Sequence, residues 1–115
     1  MSGILLMLLL LADDAAVRKT IAAFNQMHER ASVLTHDARI PDFARCWEQE
    51  RSQMYFEATG IHWLAPDTAR VEARGSRYGI GRKQTAPAVF VLKREGAGWK
   101  IESLRVWDGC LEIRP

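Results

Sequence analysis

Apolar positions follow two rhythms along this chain, a three-to-four-residue step early and a two-residue step late. In the early part Val17, Ile21, Phe24, Met27 or His28, and Ala31 recur at helical spacing. Arg18, Lys19, Asn25, Gln26, Glu29 and Arg30 lie between them, which predicts an amphipathic helix from Asp14 to Ala31. Asp13 and Asp14 suit its start, as acceptors for free amide protons and as negative charge at the positive end of the dipole. Thr35 to Ile40 reads as turn-like, and Pro41 to Glu50 as a short second helix with Phe43, Cys46 and Trp47 on one side.

Beyond Met54 the rhythm is that of strands. Met54 to Leu64 is rich in aromatic and β-branched residues and stops at Ala65 to Thr68, a turn with proline and aspartate. Ala69, Val71, Ala73 and Gly75 alternate with Arg70, Glu72, Arg74 and Ser76, so Ala69 to Tyr78 predicts a strand with one dry and one wet face. Gly79 to Gln84 supplies a turn before Thr85 to Arg94, and Glu95 to Gly98 turns the chain into Trp99 to Trp107. In that last strand the apolar positions change face between Ile101 and Leu104, which predicts a bulge near Ser103. Helices followed by four hairpin-linked strands predict an α+β domain with helices on one face of an antiparallel sheet.

Composition narrows the class. The 115 residues suit one domain, taken as 13–115 behind an apolar segment 1–12. A hydrophobic content of 48% supplies a core and excludes disorder, and 16 basic against 14 acidic residues leave a net charge of +2, too small to draw nucleic acid. Ile4 to Leu11 is too short to cross a bilayer, so no integral membrane insertion is expected. Its length, with Ala12 after it, fits an export signal, but no Lys or Arg precedes it. Two readings stay open: a cleaved leader of an exported protein, periplasmic or secreted, or a helical extension of a cytoplasmic one. Export would permit a bridge between Cys46 and Cys110, and the cytosol would keep both reduced.

Two stretches carry a family likeness. Ile61 to Val71, and Phe90 to Ile101 with its strand, Gly-rich turn and Trp-x-Ile strand, resemble the nuclear transport factor 2-like superfamily, particularly its SnoaL-like and ketosteroid-isomerase-like small proteins. Asp14 to Phe24 is similar to their first helix, and the likeness covers Asp13 to Trp107. It implies a cystatin-like α+β roll: a cone-like, strongly curved antiparallel sheet wrapped around a long N-terminal helix and a short second helix, with an internal pocket and a homodimer through the sheet face. Ser32 to Ser52 is shorter than the corresponding part of that family, which implies an abbreviated cone and a more open pocket, less suited to catalysis that needs water excluded.

The candidate chemistry is sparse. Thr35-His36-Asp37-Ala38 resembles the family's Asp-Ala segment, making Asp37 a catalytic candidate, while a turn aspartate is the structural alternative. His28 and His62 are candidate proton carriers, or else hydrogen-bonded structural histidines, and no second carboxylate matches the family's motif. Phe24, Trp47, Tyr55, Trp63, Phe90 and Trp107 are candidates for lining an apolar ligand site, and aromatic core packing accounts for them equally well. Scattered histidines and unpaired cysteines predict no metal, and Gly79-Ile80-Gly81 lacks the pattern of a phosphate-binding loop, so no cofactor is expected. The resulting expectation is a small pocket protein that binds an apolar small molecule or acts as a dimerisation module. The alternative is a cofactor-free isomerase, cyclase or hydrolase acting on a hydrophobic carbonyl-type substrate.

Overall fold

In the computed structural model the residues described are 2–26, 28–41, 54–79 and 82–107, with side chains described from Asp13 onward except at 78–84. The two-residue rhythm becomes three successive hairpins: β2 (Tyr55–Ala65), β3 (Thr68–Gly79), β4 (Arg82–Glu95) and β5 (Gly98–Val106). Their apolar face is the buried one: Ala69, Val71, Ala73, Ala86, Ala88, Phe90, Leu92, Ile101, Leu104 and Val106 point to the helix side. Val91 stands opposite Ser103 and Leu92 opposite Ile101, so Glu102 is an extra residue in β5. This is the bulge expected near Ser103, and it explains why Ile101 and Leu104 share a face.

The turn-like reading of Thr35 to Ile40 needs correction. Leu34–Arg39 is a strand, β1, running parallel to β5 at the edge of the sheet, whose order is β1-β5-β4-β3-β2. The protein is therefore α+β with a five-stranded, mostly antiparallel, open sheet. Leu34 is registered with Ile101 and Arg39 with Ser103, so five steps along β1 face two along β5. Residues 35–38 consequently arch away from the sheet.

On the other side lies α1, Ser2–Phe24. It buries Val17, Ile21 and Phe24, the i, i+4 and i+7 positions of one face. Asp13 and Asp14 stand within this helix and not at its start: Asp14 accepts from Arg18 Nε at 3.0 Å, and Asp13 from Arg94 Nη2 of β4 at 3.0 Å. The helix also stops at Phe24, before the expected Ala31, because tertiary partners take over its last groups. The Asn25 side chain donates Nδ2–H to the Phe56 carbonyl and accepts the Phe56 amide through Oδ1, both at 2.8 Å. Arg30 Nε donates to the Phe24 carbonyl at 3.0 Å, with its guanidinium 4.4 Å from the Phe24 ring centre, and burial draws its pKa below the usual arginine range. A short 3-10 helix, Arg30–Val33, then leads into β1, and Lys100 Nζ donates to the Ser32 carbonyl. The expected second helix, with Trp47 and Cys46, lies outside the described residues, as does Cys110. Among the described residues no helix is long and apolar enough to cross a membrane.

Between helix and sheet, Phe24, Phe56 and Phe90 meet with ring centres 5.2 to 5.9 Å apart in tilted and edge-on pairs. Small residues on β3 and β4 make room for them. Gly75 is buried directly beneath Met54 and Phe56, and a β-carbon there would meet the Met54 sulfur and come within 3.0 Å of Phe56 Cε1. Its role is close approach, since it needs no left-handed backbone.

Candidate functional site: a polar groove at the sheet margin

The arch of β1 and the bulge of β5 distort the sheet at the same place, and the space they open is a groove of about 580 Å³. Thr35, His36, Asp37 and Arg39 line it from β1, Glu102 and Ser103 from β5, and Lys93 and Glu95 from the end of β4. Three carboxylates and two fixed cations meet there. Lys93 Nζ lies 3.9 Å from Glu102, a loose pair with both side chains about half exposed. Arg39, Asp37 and Glu95 have no ion-pair partner among the described residues. Among the described residues no group of three or more His, Cys, Asp or Glu is placed to hold a metal ion.

The three catalytic candidates are not brought together. Asp37 is exposed in the groove on β1, at one edge of the sheet. His62 is on β2, the opposite edge, about 19 Å away at ordinary strand spacing, with Nε2 3.7 Å from Glu72. His28 follows α1 with its side chain 77% exposed, beside Glu29 at 3.9 Å.

Of the aromatic candidates, Phe24 and Phe90 belong to the fully buried ring cluster. Trp63 packs edge-on against Trp99, centres 5.5 Å apart. Tyr55 and Trp107 lie on the other side of the sheet, 60% and 41% exposed. Trp47 is outside the described residues. The six therefore do not share one lining.

Sequence reasoning missed Arg39, Lys93, Glu95, Glu102 and Ser103 as neighbours. One signal pointed there, the change of apolar face in β5, and nothing local to 34–39 announced the arch. No protein-family model matches the chain, and no curated protein matches it.

Proposed function

We propose that this chain is a nuclear transport factor 2-like roll that works as an association module, with a second copy packing on the outer face of its sheet. The observation that carries the reading is the order of side chains across that face. Its rows, read from β3 through β4 to β5, are Arg74, Pro87 and Trp107; Glu72, Val89 and Arg105; and Arg70, Val91 and Ser103. An uncharged spine along β4 is thus flanked by unlike columns. A two-fold axis parallel to β4 lays β3 of one copy over β5 of the other. Glu72 then meets Arg105 and Arg74 meets the ring of Trp107, each contact made twice, while Val89 meets itself once on the axis, as an isologous interface requires.

Exposure on this face supports the reading. Tyr55 and Trp107, two of the large hydrophobic residues exposed among those described, point outward there. Strand spacing gives a patch on the order of 500 Å² per copy, near the low end of specific interfaces, so association belongs in the micromolar range. On the helix side the rings of Phe24, Phe56 and Phe90 contact one another, which gives the interior a packing role and leaves recognition to the surface. Proton-transfer catalysis needs a water-excluding centre, and Asp37, His28 and His62 stand exposed and apart.

Light scattering after gel filtration tests this. The full chain should elute as a dimer at about 100 μM, Arg105→Glu should be monomeric, and Glu72→Arg combined with Arg105→Glu should recover the dimer because each pair is restored with reversed sign. A monomeric unsubstituted chain, or a double variant no better than the single, overturns the reading.

A further inference from the structure

We propose that the groove between β1, β5 and β4 binds a short zwitterionic peptide, of about three residues, in extended form. Two features of the groove point to that chemistry.

The first is charge order. Arg39 is registered with Ser103, so a guanidinium and a hydroxyl face each other at one end, the donor set that recognises a carboxylate. At the other end Glu95, where β4 meets the hairpin turn, offers a carboxylate to an ammonium group. Lys93 and Glu102 lie between these ends, and at 3.9 Å their pairing is loose enough to yield to ligand charges of either sign. A ligand of single charge would satisfy one end and leave the other facing a like charge.

The second feature is length. Ser103 is opposite Val91, and Glu95 is four residues further along β4, so the two ends are about 13 Å apart at strand rise. This span matches a tripeptide with both termini free. A single α-amino acid, whose charges are separated by one carbon, is too short to reach both.

The groove opens at the β1 margin but shares Ser103 with the outer row of the proposed seam, so the titration is also run on a chain that does not associate. Tri-alanine with free termini is the probe, titrated into the ¹⁵N-labelled full chain. Amide shifts should concentrate at 35–39, 93–95 and 102–103. Blocking the peptide's carboxylate as an amide, or its amine by acetylation, should each weaken binding about tenfold, the scale of a lost charge-assisted hydrogen-bond set. Arg39→Gln should weaken binding of free tri-alanine about tenfold and have no effect on binding of the amide form; Glu95→Gln should behave the same way toward the acetylated form. Unchanged circular dichroism shows that these exposed substitutions leave the fold intact. Equal binding of free and blocked peptides, shifts elsewhere on the molecule, or no shifts at millimolar peptide overturns the proposal. Repeating the titration on the Arg105→Glu variant separates the two ideas, because peptide binding there should be at least as tight as on the unsubstituted chain, whether or not that chain associates.

Discussion

Removing the Asn25 side chain should unlatch β2 from the end of α1. Phe56 sits in the strand at the β2 edge of the sheet, with its amide and carbonyl turned away from β3, and Asn25 satisfies both at 2.8 Å in the way a neighbouring strand would. Asn25→Ala removes two hydrogen bonds, each worth about 1 kcal/mol net, and leaves the backbone groups of a residue whose own side chain is in the core. The expected loss is ~2–3 kcal/mol, at the lower end if water enters from the exposed side. For a domain of this size that lowers the melting temperature by about 10 °C. Urea unfolding followed by tryptophan fluorescence gives the free energy directly, with Gln26→Ala, an exposed neighbour expected within about 0.5 kcal/mol, as the control. Asn25→Asp refines the test: one oxygen still accepts the Phe56 amide, but the other, ionised at neutral pH, faces the Phe56 carbonyl. The fold then favours the protonated carboxyl and raises its pKa above the unfolded value. Stability is present at low pH and lost as the pH rises through the folded-state pKa. If Asn25→Ala costs no more than Gln26→Ala, or Asn25→Asp shows no such recovery in acid, the latch is not what ties helix to sheet.

Three further outcomes follow from the packing. Phe90→Ala should cost about 3–5 kcal/mol in the same urea assay, since its ring contacts both Phe24 and Phe56. Gly75→Ala should lower stability by roughly 1–3 kcal/mol, because the added methyl overlaps Met54 and crowds Phe56, and a thermal melt at or above that of the unsubstituted chain would contradict that close approach. Asp13→Asn should cost under about 1 kcal/mol, because its Arg94 partner is nearly half exposed, and the difference should shrink as salt is raised.

Residue order alone determined the four hairpin strands, their buried face and the bulge in β5. Those features are written in period-two alternation and its one change of phase, Ile101 to Leu104, and local sterics suffice to impose them. It also determined the helix face of Val17, Ile21 and Phe24. Tertiary structure decided where that helix ends, because Asn25 and Arg30 find partners on Phe56 and Phe24 that no helical pattern encodes. It decided too that Leu34–Arg39 is a strand. That segment has no clean alternation and is held by parallel pairing with β5, more than sixty residues later in the chain. The groove is legible only at that level: Arg39 and Ser103, or Lys93 and Glu102, become neighbours through non-local pairing, and side-chain chemistry read along a chain carries no record of which distant strands will lie side by side.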